Sequence, residues 1–261
     1  MPHDPDAAAS RLLSLARDLK RRKARERNSL FVAEGVRAVE ELVRSGLPIR
    51  GALVTGELLA TDRGAAVVAA LKKSGVPGAT VSDTDFRSAA GTDAPQGILA
   101  IAEVPQRPVD TLAGADLARV LVLDAIQDPG NVGSLIRTAA AMGVRTVVAL
   151  PGTADPWNAK VVRSAAGGHF HLIVTHAELD SLLAALRAAD VPLWGADANG
   201  RPVATVPAPA RLALAVGNEG AGLTPAVREA SGQLVSLPMT PGVESLNVGV
   251  AAGILLYALA P

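Results

Sequence analysis

Cysteine is absent from this chain of 261 residues, and histidine occurs only four times. Without cysteine the protein has no disulfide bonds, no thiolate nucleophile and no metal site built on thiolate ligands. His169 and His171 lie two residues apart on a predicted strand, so their side chains should face the same side. Two histidines are too few to hold a zinc ion. We interpret them as packing or surface residues and expect no bound metal.

Motifs of several common enzyme classes are missing too. Gly217, Gly220 and Gly222 do not match the spacing Gly-x-Gly-x-x-Gly, and the chain has no Gly-x-x-x-x-Gly-Lys-Ser/Thr loop. The Gly-x-Ser-x-Gly turn of serine hydrolases is absent as well. These absences argue against a dinucleotide-dependent oxidoreductase, a P-loop nucleoside triphosphatase and a serine hydrolase.

Neither a signal peptide nor a membrane span is evident in the sequence. Residues 1–6 lack the apolar core of a signal peptide. The longest uncharged apolar stretch, residues 246–259, is too short for a comfortable membrane span and predicts a buried helix. We therefore expect a cytoplasmic protein.

Positive charge is concentrated near the N-terminus, although the whole chain is formally neutral. Residues 1–50 contain eleven Lys and Arg against seven Asp and Glu, so they carry +4 and the remainder carries −4. A basic strip attracts phosphate even on a neutral protein. We predict RNA contacts along this strip, and the alternative is a solvated helix face. The strip consists of Lys20, Arg21, Arg22, Lys23 and Arg25.

The apolar pattern divides the chain into two α/β halves. Residues 1–104 alternate helical and strand patterns, beginning with a predicted helix at residues 10–24. Two prolines, Pro105 and Pro108, favour extended chain, so we place a linker at residues 105–118. Residues 119–261 alternate strands and helices, which predicts a mostly parallel sheet with helices on both faces. The strands predicted in this second half are residues 120–123, 146–150, 170–174, 191–195, 212–216 and 234–237.

Three strands of the second half run into turns of small and polar residues, and a helix follows each turn. The turns lie at residues 127–134, 217–222 and 238–247. In an open α/β sheet, ligands bind beyond the carboxyl ends of the strands. Three such turns in succession therefore predict one composite site at that edge.

Polar side chains in these turns have both functional and structural interpretations. Asn131 is either a site residue or the N-cap of its helix. Arg137 projects from a surface of small residues that an anionic ligand can approach, or it is a solvated surface Arg. Glu219 either acts in the site or stabilises the next helix N-terminus. Ser245 is a candidate N-cap of the last helix, with Asn247 in its first turn. That helix is wholly apolar, which predicts a subunit interface.

With their flanking residues, the three turns resemble the motifs of the SpoU (TrmH) family of RNA ribose methyltransferases, in the SPOUT superfamily. Residues 123–139 (LDAIQDPGNVGSLIRTA) look like the first motif, residues 216–223 (VGNEGAGL) like the second and residues 237–248 (LPMTPGVESLNV) like the third. The first half is similar to the family's L30e-like substrate-binding domain, mainly through residues 31–36 (FVAEGV).

The resemblance implies a fold and an activity that residue spacing does not reveal. It implies that the C-terminal segment of the catalytic domain forms a deep trefoil knot, and that the enzyme is a homodimer through this region. It also implies methyl transfer from S-adenosylmethionine to a ribose 2′-hydroxyl, with ribosomal RNA as the expected substrate. Carried over to this sequence, the cofactor-binding residues are Gly217, Leu237, Met239 and Leu246. The implied catalytic residues are Asn131, Arg137, Glu219, Ser245 and Asn247.

The role of Arg137 is open to more than one interpretation. Its guanidinium is a permanent cation and therefore a poor general base, so we expect it to clamp a phosphate and stabilise the developing alkoxide. The proton then passes to the phosphate or to Glu219, unless Glu219 only orients Asn131 or Arg137. Alternatives for the protein are a tRNA 2′-O-methyltransferase, an antibiotic-resistance rRNA methyltransferase and a non-catalytic RNA-binding protein of the same fold.

Overall fold

The computed structural model describes residues 5–240, 242 and 245–260. These residues fall into two compact units. The first unit comprises Met1–Pro105 together with Trp157–Phe170, and the second comprises Gln106–Pro156 together with His171–Pro261. Among the described residues, none of the helices has both the length and the apolar composition needed to cross a membrane.

The first unit is built on a four-stranded mixed sheet with the strand order β1-β4-β2-β3. Strand β4 is antiparallel to both β1 and β2, whereas β2 and β3 are parallel. Buried apolar residues of β1, β2 and β4 form its core with helices α1 and α6. Its elements are α1 (Pro5–Asp18), α2 (Arg22–Asn28), β1 (Leu30–Glu34), α3 (Val36–Ser45), β2 (Ile49–Thr55), α4 (Gly56–Leu59), α5 (Asp62–Lys73), β3 (Gly78–Val81), α6 (Asp83–Ala89), β4 (Ile98–Glu103) and α8 (Ala159–Ser164).

The predicted helix at residues 10–24 is in fact two helices, α1 and α2, separated by a short turn. The side chain of Arg25 explains the break. Its Nη1 donates to the carbonyl oxygens of Leu19, at 2.8 Å, and Lys20, at 2.9 Å. These carbonyls at the turn after α1 would otherwise lack intrahelical partners.

A segment from the second half of the chain packs into the first unit. The ring of Trp157 lies 4.7 Å from that of Phe31 and 5.0 Å from that of His169, measured between centroids. Helix α8 packs against β1, and Arg163 Nη1 lies 3.4 Å from the buried carboxylate of Glu34. The predicted strand at residues 170–174 was therefore wrong at its start, because Gly168–Phe170 is a 3-10 helix and the strand begins at Ile173. His169 is a buried packing residue rather than a strand residue.

The second unit contains a six-stranded sheet with the order β10-β8-β9-β5-β6-β7. Every strand pair is parallel, which confirms the prediction from the alternating pattern. Its elements are β5 (Arg119–Asp124), α7 (Pro129–Ala141), β6 (Thr146–Ala149), β7 (Ile173–His176), α9 (Leu179–Ala188), β8 (Leu193–Pro202), β9 (Leu212–Gly217), α10 (Pro225–Ala230), β10 (Gln233–Ser236) and α11 (Val248–Ala258).

Residues 105–118, for which the sequence predicts a linker, have ordered structure. They contain two 3-10 helices, Val109–Thr111 and Gly114–Leu117. Val109, Leu112 and Leu117 are buried in the core of the second unit. Burial of apolar side chains therefore fixes this segment, even though its prolines prevent an α-helix.

Helix α11 packs closely against α7 through glycine. A Cβ atom placed on Gly249 would lie 2.9 Å from Ser134 Oγ, and one on Gly253 would lie 3.3 Å from a Thr138 methyl group. The opposite side of α11 exposes three large residues at helical spacing, Val250, Ile254 and Tyr257. The helix thus has one face in the core and one apolar face on the surface of the chain.

Candidate active site

The site forms where the direction of strand connection reverses. Strands β5, β6 and β7 proceed in order toward one edge, whereas β9 lies beside β5 on its other flank. Clefts that bind ligands open at such switch points, beyond the carboxyl ends of the strands. The turns at residues 127–134 and 217–222 follow the adjacent strands β5 and β9, and the third turn follows β10.

The first turn is capped by Asp128, not by Asn131. The Asp128 carboxylate accepts a hydrogen bond of 2.8 Å from the backbone N–H of Asn131, and Pro129 starts helix α7. Proline suits the first helical position because its missing N–H would be unsatisfied there. With the cap supplied by Asp128, the side chain of Asn131 is available to the site.

The second turn has its own internal scaffold. Asn218 Oδ1 accepts hydrogen bonds from the backbone N–H groups of Gly220, at 3.0 Å, and Ala221, at 3.1 Å. Its Nδ2 donates to the carbonyl oxygen of Ala125, 3.1 Å away, which ties this turn to the end of β5. A Cβ atom on Gly217 would lie 2.2 Å from the carbonyl carbon of Gly222, so only glycine fits the first position. Asn218 thus fixes the shape of the turn that carries Glu219.

The third turn ends at Asn247, which is the N-cap of α11. Its Oδ1 accepts hydrogen bonds from the backbone N–H groups of Gly249, at 2.9 Å, and Val250, at 3.4 Å. The interpretation of Ser245 as this N-cap was therefore wrong. Ser245 is exposed and makes no hydrogen bond with another described residue. Three residues of the third motif, Pro241, Val243 and Glu244, lie outside the described residues.

Side chains from all three turns form one hydrogen-bonded chain. Asn247 Nδ2 donates to Asn131 Oδ1 at 3.1 Å, and Asn131 Nδ2 donates to Glu219 Oε1 at 2.6 Å. Asn247 Oδ1 already accepts hydrogen bonds from the backbone N–H groups at the start of α11. The side-chain amide nitrogen of Asn247 must therefore face Asn131. The direction of both remaining hydrogen bonds follows from that constraint. These two side-chain hydrogen bonds therefore hold the Glu219 carboxylate in one orientation.

Arg137 does not join this chain of side chains. It is exposed on α7 six residues after Asn131, about 9 Å further along the helix axis. Its guanidinium makes no ion pair within the part of the chain that the structure describes. The structure therefore brings Asn131, Glu219 and Asn247 together and leaves Arg137 and Ser245 outside the cluster.

Beside the Glu219 carboxylate lies a cleft that contains all four predicted cofactor-binding residues. Gly217, Leu237, Met239 and Leu246 line it, together with Glu219 and Ser245. With its open mouth included, the cleft encloses about 730 Å³. The cavity volume of the cleft itself is about 170 Å³, and the rest is open to solvent.

The sequence interpretation missed one wall of the cleft. Ala196, Asp197 and Ala198 line it from strand β8, which extends to Pro202 rather than ending at residue 195 as predicted. The run of small and polar residues at 195–200 (GADANG) directly after an apolar strand was the available signal. It resembles the other three turns, but it is followed by a 3-10 helix, Val203–Thr205, and not by an α-helix.

The basic strip is less uniform than its sequence suggests. Arg25 is only 4% exposed and donates to two backbone carbonyls, so its placement among RNA-binding residues is not supported by its surroundings. Arg21 pairs with Asp18, and Arg22 pairs with Glu26 at 2.7 Å. Lys20 Nζ donates to the carbonyl oxygen of Ser88 at 2.7 Å. Lys23 is exposed. Four surface cations therefore remain.

No group of three or more potential metal ligands occurs among the described residues. His176 Nε2 lies 3.8 Å from the carboxylate of Asp155.

The fold and the site together define a class of protein: an open parallel α/β domain with a cleft beside an oriented carboxylate. Comparison with known families agrees. Residues 118–257 match the model of the SpoU rRNA Methylase family, and residues 14–100 match that of the MRM3-like substrate binding domain. The chain belongs to the SpoU rRNA methylase family, which confirms the resemblance seen in the three motifs.

Relatives and solved structures match over nearly the whole chain. The 23S rRNA (guanosine(2553)-2′-O)-methyltransferase RlmP of Bacillus subtilis (strain 168) is 37% identical over 243 residues, 92% of each chain. The 23S rRNA (uridine(2479)-2′-O)-methyltransferase of Streptomyces viridochromogenes is 30% identical and covers 92% of this chain and 85% of its own. The structure of the SpoU methyltransferase AviRb from Streptomyces viridochromogenes in complex with AdoMet has a TM-score of 0.84 at 25% identity, covering 95% of this chain and 96% of that chain.

Proposed function

We propose that this protein is an S-adenosylmethionine-dependent RNA methyltransferase that methylates a ribose 2′-hydroxyl in ribosomal RNA. The observation that carries the proposal is the hydrogen-bonded chain from Asn247 through Asn131 to Glu219 beside the cleft. The relatives named as 23S rRNA 2′-O-methyltransferases support both the reaction and the class of RNA.

The cleft has features that suit S-adenosylmethionine. Leu237, Leu246, Val235 and Leu255 give it an apolar lining on which an adenine ring can rest. Gly217 lets the backbone approach the ligand without a side chain. When bound, the cofactor supplies an electrophilic methyl group on a positively charged sulfur. Because this methyl group is already activated, we propose that the reaction needs no metal ion.

Glu219 is the group that we propose receives the hydroxyl proton. Asn131 donates a hydrogen bond to Oε1 of Glu219. The other carboxylate oxygen, Oε2, remains available to accept a hydrogen bond from the ribose 2′-hydroxyl. As the new C–O bond forms and the methyl–sulfur bond breaks, the hydroxyl proton passes to this carboxylate. Asn131 and Asn247 act as positioning residues that keep the carboxylate in place.

Arg137 acts on the RNA rather than on the cofactor. Its exposed guanidinium presents a planar fork of donors that suits a phosphate group next to the target ribose. Held there, its charge also stabilises negative charge that develops on the 2′-oxygen. We propose that the exposed Ser245, at the mouth of the cleft, contacts the same ribose.

The exposed face of α11 is proposed as the surface of a homodimer, in a C-terminal segment threaded as a trefoil knot. A second copy is the expected occupant because Val250, Ile254 and Tyr257 form a continuous apolar stripe without charged residues. Ile254 is 44% exposed and Leu255 only 2%. Ile254→Asp should therefore give a folded monomer, whereas Leu255→Asp should give unfolded protein. Sedimentation of the unmodified protein as a monomer at micromolar concentration would contradict the dimer.

The first unit is proposed to bind the RNA, in the cytoplasm. It contains the residues that match the substrate-binding model, and residues 1–50 carry a net charge of +4. The boundary between substrate-binding and catalytic parts is proposed near residue 105, with Trp157–Phe170 belonging to the substrate-binding part.

Methyl transfer from labelled S-adenosylmethionine to purified 23S rRNA, 16S rRNA and tRNA tests the function. We expect label in rRNA, resistance of the product to alkaline cleavage at one nucleotide, and no effect of excess chelator. Label in tRNA alone would favour the tRNA enzyme. RNA binding without any transfer would favour a non-catalytic RNA-binding protein. Protection against a ribosome-directed antibiotic on expression would identify a resistance enzyme.

A further inference from the structure

Strand β8 contains a bulge that forms one wall of the cofactor cleft. Gly195 pairs with Leu234 of β10, but the next residue of β10, Val235, pairs with Arg201. Residues 196–200 therefore stand outside the ladder between these strands, and three of them line the cleft. Bulges redirect side chains and are common beside binding sites.

The carboxylate of Asp197, which is only 5% exposed, makes two contacts that help to hold the bulge in shape, and Ser236 Oγ donates a further hydrogen bond to the Gly200 carbonyl. One oxygen, Oδ1, accepts a hydrogen bond of 2.8 Å from the backbone N–H of Asn199. The other, Oδ2, accepts from the guanidinium of Arg228. A carboxylate with so little access to water depends on such partners, because burial without them is costly. Asp197 thus links the shape of the bulge to the position of Arg228.

Arg228 belongs to α10, which is anchored at its other end. Thr224, the N-cap of α10, donates its backbone N–H to Asp124 Oδ2 at 2.6 Å and its hydroxyl to Asp124 Oδ1 at 3.2 Å. Asp124 is buried at the end of β5. Helix α10 is therefore a short strut of about 9 Å that runs between the end of β5 and the bulge.

We propose that Asp197 and Arg228 are positioning residues that set the affinity for S-adenosylmethionine by holding the bulge in its cofactor-binding shape. The inference rests on the proposed function and deepens it. Neither residue touches the reacting atoms. Without the ion pair, the bulge samples other conformations, and apparent affinity falls in proportion to the fraction that remains competent.

The test is calorimetric titration with S-adenosylhomocysteine, which needs no RNA and no turnover. Asp197→Asn keeps an oxygen for Asn199 and removes the charge, whereas Asp197→Ala removes both interactions. We expect Asp197→Asn and Arg228→Gln to weaken binding on the order of tenfold, and Asp197→Ala to weaken it more. Arg228→Lys should recover part of the loss, since it keeps the charge but not the planar fork. For Arg228→Gln, which lies outside the cleft lining, turnover at saturating cofactor should stay close to that of the unmodified protein.

A matched control is available in the same unit. Arg107 pairs with Asp116 at 2.9 Å, and Arg107→Gln should leave the affinity for S-adenosylhomocysteine unchanged. If Asp197→Asn does not fold, the half-exposed Arg228 gives the test through its Gln and Lys variants. Unchanged affinity in folded Arg228→Gln would overturn the inference, as would a loss of turnover at unchanged affinity. Failure of the unmodified protein to bind would instead contradict the proposed function itself.

Discussion

The two units use polar side chains in different ways. In the second unit, Asn247, Asn131 and Glu219 come from three separate turns and are hydrogen-bonded in one fixed order. In the first unit, the exposed cations form ion pairs at the surface, as Arg22 does with Glu26. Exposed ion pairs contribute little individually, whereas oriented networks fail when one member is removed. Substitutions in the second unit should therefore have large and specific effects, and those in the first should have small and additive ones.

Removing the first unit should have the largest effect of all. A chain that begins at Arg107 appears reasonable from sequence, because prolines separate the two halves. The structure predicts failure, because the chain would retain Trp157–Phe170 but lose Phe31 and Glu34, which contact that segment. Trp157 and the face of α8 that is buried in the intact protein would become exposed to solvent. These apolar surfaces should then cause aggregation. We expect insoluble protein on expression.

Co-expression of residues 1–105 as a separate chain provides the control for this truncation. If the lost contacts are the cause, the two fragments should associate and recover solubility. A soluble, monomeric fragment with a sharp thermal transition and normal affinity for S-adenosylhomocysteine would show that the second unit folds independently.

Glu219→Gln should produce the next largest effect. Gln keeps an oxygen that can accept from Asn131, but it cannot take up the hydroxyl proton. If Glu219 is the proton acceptor, turnover should fall by about 10²–10⁴-fold, as is typical when a general base is lost. Affinity for S-adenosylhomocysteine should remain nearly unchanged. Turnover close to that of the unmodified enzyme would show that Glu219 does not accept the proton and only orients its neighbours.

Arg137→Ala should lower turnover less, by about 10²–10³-fold, the usual cost of removing one group that stabilises developing charge. Single-turnover methylation of rRNA measures this effect. Cofactor affinity should be intact, because Arg137 does not line the cleft. Lys at this position should not restore full activity, since it lacks the planar fork. Loss of cofactor affinity in step with activity would show that Arg137 acts on the cofactor side.

The sequence could predict much of the second unit because local patterns there agree with the fold. Strand β5 is a continuous apolar run and is buried throughout its centre, as expected for a parallel sheet. Two of the three motif turns follow such a strand, β5 or β9, so the edge at which they meet was predictable. The cap residues were not, because Asp128 and Asn131 both favour N-cap positions and only the geometry distinguishes them.

Features that depend on tertiary contacts could not be predicted from the sequence. The bulge at residues 196–200 lies within a strand, and periodicity gives no sign of where a ladder is interrupted. The packing of Trp157–Phe170 in the first unit depends on contacts with β1, more than 120 residues earlier in the chain. Charge also says nothing about exposure, so Arg25 could not be distinguished from its neighbours.

The smallest effect is expected for Lys23→Ala. Its effect should differ in kind from that of Arg25→Ala, although the two residues are almost adjacent in sequence. Lys23 is exposed, so Lys23→Ala should leave the melting temperature unchanged and weaken RNA binding only slightly. If Lys23 contacts a phosphate, the slope of log affinity against log salt should fall by up to about one.

Arg25→Ala should show the opposite pattern. Removal of the guanidinium leaves the carbonyls of Leu19 and Lys20 without their donor. An unsatisfied buried polar group costs about 1–3 kcal/mol, so the melting temperature should fall. The salt slope of RNA binding should not change, because Arg25 is not on the surface. The measurements are denaturation curves and RNA titrations at several salt concentrations for both variants. If both variants lower the salt slope equally, the basic strip acts through its total charge, and burial does not decide which cation meets RNA.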